Sequence, residues 1–526
     1  MASADRTFDM IVIGSGMGGL TVASLMSQLG HKRVLVLEQH FMPGGFTHSF
    51  ARPQKRLWDV GLHYVGEMAP GTMGRQLFDL ITHRKVEWNK MPSPFEKFVY
   101  PDFTFDVPDD PILFQQALIE RFPQERTAIE QYFKDVLRVA DWYRTNMLMQ
   151  SAPALIRIPA QLAKYGAKNI ALSTTAGYLD HHFRDQKLKA VLASQWTDYG
   201  LPPAESAFAI HALIVAHYVN GAYYPAGGAT SISKSILPLV EANGGQFIVN
   251  HTVTEIIVRN GRAVGVKAVT GKGQQRTEKE FFAPVIVSDA GAYNTFNRLL
   301  PENVPIPFRH QLEQIAAGHG FLTVYLGLKE DPSKFGFHGE NHWIFPGYDH
   351  DALFKHRNEV LEGKPAYCYL SFPSLKDPQA SSHTAEIVTL LDYAEVAKWK
   401  DYPWRRRGED YQILKDRIAQ SLIAFVNERY PVFKDLVDYY EVATPITFEK
   451  FSGHVRGTIY GIPSTPERFR LSWLKVATPI KNLYLTGMDV AGLGILGALM
   501  GGVATAARLL GSLGVMQILL ATKKSS

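Results

Sequence analysis

The residues with the plainest chemical meaning stand near the N-terminus, where Gly14-Ser15-Gly16-Met17-Gly18-Gly19 fits the spacing GxGxxG. Each glycine serves a separate purpose. Gly14 permits a tight turn, Gly16 lets a pyrophosphate approach the backbone, and Gly19 lets helix and strand pack closely. The pyrophosphate would sit on the N-terminus of the next helix, where unpaired N–H groups and the helix dipole favour an anion. Glu38, followed by Gln39, lies where a carboxylate can accept hydrogen bonds from ribose hydroxyls. After five intervening residues, Gly44-Gly45 would bring a second backbone turn up to the phosphates, with Phe46 and Thr47 just after it. This is dinucleotide chemistry, and the first motif alone does not say which dinucleotide.

Such a site needs a strand, a helix and a second strand to hold it. Residues 8–13 form an apolar run ending at Gly14, which reads as a buried parallel strand. Leu20, Ala23, Leu25, Met26 and Leu29 give the following helix an apolar stripe, and Gly30 stands where a C-cap glycine is expected. Residues 34–37 form the second strand, completing a βαβ unit with a right-handed crossover. After a long irregular stretch, Gly227-Gly228 precedes another periodic helix. Residues 247–249, 253–258 and 263–269 then read as strands, with Asn260-Gly261 as a tight hairpin turn. Residues 284–288 and 483–487 supply two more strands, so the chain returns twice to its first domain. The expected fold is α/β. A discontinuous Rossmann-type domain takes residues 1–90, 225–300 and 478–526, and a second domain takes 91–224 and 301–477.

Three separated elements together narrow the cofactor. The Glu38-to-Gly45 extension resembles the FAD signature of flavoprotein oxidases and desaturases more than that of nicotinamide dehydrogenases. Gly487-Met488-Asp489 is similar to the flavoprotein element whose Asp contacts the ribityl–phosphate region. By the same resemblance, Ile495 and Leu496 approach the pyrimidine edge of the flavin, and Val253 joins the cofactor contacts. More specific are residues 44–50 (GGFTHSF), 58–66 (WDVGLHYVG), His217-Tyr218, 223–228 (YYPAGG) and 486–490 (TGMDV). These resemble the retinol saturase branch of the phytoene desaturase and carotenoid isomerase family over nearly the whole chain, most weakly from about 300 to 475. The resemblance implies FAD, a substrate domain with a mixed sheet and a helical cap over about 125–215, and an apolar isoprenoid substrate drawn from a membrane. It also implies saturation, desaturation or isomerisation of a carbon–carbon double bond.

That chemistry needs a proton donor or acceptor beside the flavin. His63 is the first candidate, on a segment that the resemblance places near the flavin; Tyr64, His217, Tyr218 and Tyr223 are lesser ones. Trp196, Tyr199, Phe208, Trp343, Phe345, Phe372 and Tyr460 suit a polyene tunnel, although any of them can equally pack a core.

Composition excludes several classes. A net charge of +5 over 526 residues, without a dense Lys/Arg block, gives nucleic acid no electrostatic footprint. The single cysteine rules out an internal disulfide and multi-cysteine metal centres, and no HExxH or GxSxG occurs, so no metal site is expected. Residues 1–9 lack the pattern of a signal peptide, which points to a cytoplasmic protein. The uncharged run 490–507 is rich in glycine, as close backbone approach requires. Residues 142–179 carry basic and apolar side chains but no acid, and the tail from Leu513 to Lys524 is similar, so peripheral membrane contact is expected. Alternatives within the fold are an unsaturated fatty acid as substrate, an amine oxidase, or a prenyl-lipid escort that uses no flavin. The intact glycines and Asp489 weigh against the escort. The electron donor or acceptor is not written in the sequence.

Overall fold

The computed structural model describes residues 8–149, 165–271, 275–315 and 318–525. Its first layer is a five-stranded parallel sheet in the order Gln246–Ile248, Val34–Leu37, Met10–Ile13, Ile286–Ser288, Leu483–Leu485. Met10 pairs with Val34 and Ile11 with Ile286, so the N-terminal strand lies at the centre. Both faces of Met10–Ile13 and Val34–Leu37 are buried, which is why these strands are continuous aliphatic runs rather than alternating ones. The sheet collects its strands from the beginning, middle and end of the chain.

The helix Met17–Gln28 is buried over nearly its whole surface because the glycine-rich helix Gly494–Leu510 crosses it. Glycine makes that crossing possible: a Cβ at Gly502 would lie 2.5 Å from Thr21 Cβ, and one at Gly501 would lie 2.2 Å from the Gly487 carbonyl oxygen. The sequence expectation differs at one cap. The left-handed conformation falls on His31 (φ 49°), not on Gly30, whose N–H still bonds the Met26 carbonyl at 3.1 Å. Asn260-Gly261, both with positive φ, do turn the hairpin between Thr252–Arg259 and Arg262–Thr270.

The second layer is a seven-stranded mixed sheet in the order Val437–Ala443, Gly320–Leu328, His383–Leu391, Cys368–Ser371, Asn341–Ile344, Glu96–Val99, Thr104–Val107. Only Asn341–Ile344 and Glu96–Val99 run parallel. On Gly320–Leu328 the odd positions Phe321, Thr323 and Tyr325 face a large cavity, while Leu322, Val324 and Leu326 pack in the core with Ile418 and Leu422 of the helix Glu409–Arg429. The helix Phe208–Tyr218, apolar all round, packs against Arg126–Met149 and closes another side.

Among the described residues, no single helix is long and apolar enough to cross a membrane. The bent pair Gly494–Leu510 and Gly514–Lys523 has the length and composition, but its first helix is core. Of the stretch expected to face a membrane, Leu155, Ile156, Arg157, Ile158, Leu162 and Lys164 lie outside the described residues. Trp142 and Tyr143 are buried, and Arg144 pairs with Glu67.

Candidate active site

The cavity holds about 1260 Å³ and runs from the glycine turns to the mixed sheet. Its phosphate end is built by Ser15. Glu38 Oε2 accepts from the Ser15 N–H (2.8 Å) and hydroxyl (2.7 Å), and Oε1 accepts from the His40 N–H (2.7 Å). The Gly44 N–H in turn donates to the Ser15 carbonyl (3.1 Å) and Oγ (3.0 Å). These bonds strap the second turn onto the first, so closely that a Cβ at Gly45 would lie 2.9 Å from Gly16 Cα. The spacing from Glu38 to Gly45 thus has a mechanical cause.

The cradle is an anion site by its own geometry. Gly16 is the N-cap of Met17–Gln28 and has no side chain to cap the free N–H groups. The carboxylate of Asp289 fills the space instead: Cβ atoms at Gly16 and Gly18 would lie 2.6 Å and 2.5 Å from its oxygens, and the Gly16 and Gly19 N–H groups bond to it. Burial, with Glu38 and Asp489 nearby, pushes this carboxyl up to about 8. A carboxylate drawn into the turn stands in for the phosphate oxygens that the turn is shaped to receive. The residues present therefore fit a dinucleotide pyrophosphate.

Gly14, Gly16, Met17, Gly18, Glu38, Gln39, Gly45, Phe46, Thr47, Val253, Asp489, Ile495 and Leu496 all line this cavity. Ser15, Gly19, Gly44 and Gly487 stand behind the wall and shape it. Asp489 already has two partners, accepting from the Ala292 N–H (2.7 Å) and the Ile462 N–H (2.9 Å). Its first role here is therefore to lock the loops around the site. Asp289 was missed by sequence reading, although an acid and a glycine directly after a parallel strand, Ser288-Asp289-Ala290-Gly291, mark the place where such sheets bind ligands.

At the other end, four of the five expected acid–base residues converge on the cavity wall: His63, Tyr64, His217 and Tyr218. Tyr64 and Tyr218 stack with ring centroids 4.3 Å apart. His63 Nδ1 lies 2.8 Å from Oε2 of the fully buried Glu386. His217 Nε2 accepts the Gly66 N–H at 2.9 Å, and burial pushes its ring down to about 3, so it is a neutral acceptor holding backbone. Tyr223 lies in the core and away from the cavity. Of the aromatics expected to form a tunnel, Trp343 and Tyr460 line the cavity; Trp196, Tyr199, Phe208, Phe345 and Phe372 are core packing.

Behind Tyr64 and His63 lies a buried polar cluster that no local motif announces. The Tyr64 hydroxyl is 2.6 Å from Glu96 Oε1 and 2.7 Å from Asp198 Oδ2. Glu96 also accepts from Trp343 Nε1 (3.0 Å) and Gln195 Nε2 (2.7 Å). Lys376 Nζ donates to the His63 carbonyl (2.9 Å), Asn341 Oδ1 (2.6 Å) and Ser371 Oγ (2.7 Å), and burial pushes it down to about 7. Burial also pushes Glu96 up to about 7 and Asp198 well above the usual carboxylate range.

Comparison with known proteins agrees with this arrangement. Residues 9–444 match the family model "FAD dependent oxidoreductase". The chain is 33% identical to the all-trans-retinol 13,14-reductase of Danio rerio, over 94% of this chain and 84% of that protein. It is 26% identical to prolycopene isomerase 1 of an Oncidium hybrid cultivar, over 97% and 84%. Among solved structures, cyclohexylamine oxidase from Brevibacterium oxydans shares the fold, with a TM-score of 0.59 at 16% identity over 98% of this chain and 99% of that one. The glycine cradle and the double-walled cavity are thus those of a chain that belongs to the FAD-dependent oxidoreductase family, among the relatives of the all-trans-retinol 13,14-reductases.

Proposed function

We propose that this protein binds FAD along the Gly14–Gly19 and Gly44–Gly45 turns and acts on a carbon–carbon double bond of an apolar polyene, a retinoid or a carotenoid. The observation that carries the reading is the continuity of one cavity from the anion cradle to an aromatic wall of Tyr64, Tyr218, Trp343, Tyr369 and Tyr460. FAD, when bound, supplies or takes up the hydride. The chain's own share is to bind, orient and exclude water: Asp489 fixes the loops, Ile495 and Leu496 close the cavity beside the cradle, and the stacked pair Tyr64 and Tyr218 offers a flat surface to a conjugated chain.

Relatives named for retinol reduction favour saturation, while those named for prolycopene favour isomerisation. The deciding experiment reconstitutes the protein with FAD, photoreduces it without oxygen, and offers all-trans-retinol and a poly-cis-carotene. Saturation adds one H₂ to the product mass, and isomerisation leaves the mass unchanged with a new retention time. We expect saturation of the retinoid. Failure to acquire a flavin spectrum, or conversion of neither polyene, overturns the reading.

Delivery of such a substrate calls for a lipid surface, and we propose that the C-terminal helix Gly514–Ser525 meets one. Leu513, Met516, Leu519 and Leu520 are exposed at spacings that place them on one face, with Lys523 following. The protein should cosediment with anionic phosphatidylglycerol vesicles, and the double change Met516→Glu with Leu520→Glu should lower the bound fraction several-fold at unchanged flavin content. Equal sedimentation of variant and parent would remove the helix from this role.

A further inference from the structure

Adding hydrogen across a double bond takes a proton as well as a hydride, and the cavity wall contains one place where the geometry itself demands an extra proton. A phenol has one hydrogen to donate. Tyr64 Oη nevertheless lies 2.6 Å from Glu96 Oε1 and 2.7 Å from Asp198 Oδ2. Each of these oxygen–oxygen contacts needs a hydrogen between the atoms, so one of the two carboxyls is protonated and donates to the Tyr64 oxygen.

Which one is decided by the other donors. Glu96 receives the indole N–H of Trp343 and the amide of Gln195 in addition to Tyr64, which suits an anion. Among the described residues Asp198 receives no such support; it faces Glu96, Tyr64, Tyr218, Tyr369 and Tyr460, with no cation among them, while Lys376 stands on the Glu96 side. Burial beside the Glu96 charge favours its neutral form further. Of the two, Asp198 lines the cavity and Glu96 stands behind it.

We propose that Asp198 is the proton donor to the double bond, held in its acid form by Tyr64 and Glu96; this rests on the reading above that the protein acts on such a bond. Reduced FAD, when bound, would supply the hydride to one alkene carbon. The π pair of the alkene forms the second C–H bond with the Asp198 proton, whose O–H pair stays on the carboxylate. Tyr64 then turns its hydrogen from Glu96 to the new anion, which stabilises it, and water reprotonates Asp198 between turnovers.

Infrared difference spectroscopy of the FAD-loaded protein, without substrate, tests the protonated state: at pH 7 the parent-minus-Asp198→Asn spectrum should contain the C=O band of a neutral carboxyl, while the Asp289 carboxyl, common to both proteins, cancels. Single turnover of photoreduced protein with all-trans-retinol tests the role. Asp198→Asn should keep flavin and thermal midpoint and lose rate by about 100-fold or more, while Tyr64→Phe should keep partial rate with a shifted pH profile. A variant Asp198→Asn with the parent rate, or the absence of a neutral-carboxyl band assigned to Asp198, overturns the proposal. If the parent protein converts no polyene, the functional reading fails, and the infrared band still judges the acid form of Asp198 by itself.

Discussion

Gly16→Val yields a folded protein that retains no FAD after desalting. Gly16 has φ −63° and ψ 175°, an extended conformation open to any L-residue, so the new side chain imposes no backbone strain. What it does is fill the cradle. Its Cβ would stand 2.6 Å from the Asp289 carboxylate oxygen that now occupies the anion position, and the second turn closes the opposite side through Gly45. A pyrophosphate would lose its hydrogen bonds to the N-terminal N–H groups of Met17–Gln28. Each such charge-assisted bond is worth about 1.5–3 kcal/mol, so losing two weakens binding by roughly 100-fold or more. Flavin absorbance per protein and the rise in thermal midpoint on adding FAD measure the effect. Stoichiometric flavin in this variant would show that the cofactor lies elsewhere.

The cradle is legible in the sequence because its elements are local. A glycine turn between an apolar run and a periodic helix is written within a few residues, and so is the Asn260-Gly261 hairpin. The distance from Glu38 to Gly45 is also local, although its cause, the bridging Ser15, appears only in three dimensions. The mixed sheet is different. Gly320–Leu328 is buried on both faces, so its sequence shows no alternation to separate cavity-facing Phe321 and Tyr325 from core-facing Leu322 and Val324. The acid–base cluster is less legible still. Glu96, Asp198, Lys376 and Glu386 come from four separate elements and share no spacing; only the contacts of Tyr64 with Glu96 and Asp198, and of His63 with Lys376 and Glu386, bring them together. Aromatic residues mislead in the opposite sense, since Trp196 and Phe372 have the composition of a tunnel and the position of a core.

Lys376→Met should cost about 3–5 kcal/mol of stability at pH 7, the usual loss when one member of a buried charged cluster is removed. Methionine approximates the length of lysine but leaves the His63 carbonyl, Asn341 Oδ1 and Ser371 Oγ without their shared donor. It also removes the cation that faces Glu386, Asp59, Glu96 and Glu340. The pH dependence of the parent protein is set by buried groups that act in opposite senses. Burial raises Asp59 to about 6 and Asp289 to about 8, and lifts Asp198, the neutral member of its pair with Glu96, well above the usual carboxylate range. Above about pH 4 the unfolded chain releases these protons while the folded chain keeps them, so their contribution falls as pH rises from about 4 through 8. Lys376 acts in the opposite sense, but only above about 7, where the folded protein gives up a proton that the unfolded chain still holds. Between pH 5 and about 6.5 five buried histidines pushed down to about 3 to 4, His48, His211, His217, His342 and His350, oppose the acids, because the unfolded chain takes up protons that they refuse; the acids govern only above about 6.5, where stability should decline. In Lys376→Met stability should fall relative to the parent between pH 5 and 7, because carboxyls without a cation hold their protons to higher pH. Urea denaturation of both proteins at pH 5 and 7 reads both quantities. A loss below about 1 kcal/mol at pH 7 would mean that neither the charge of Lys376 nor its three hydrogen bonds hold the cluster together.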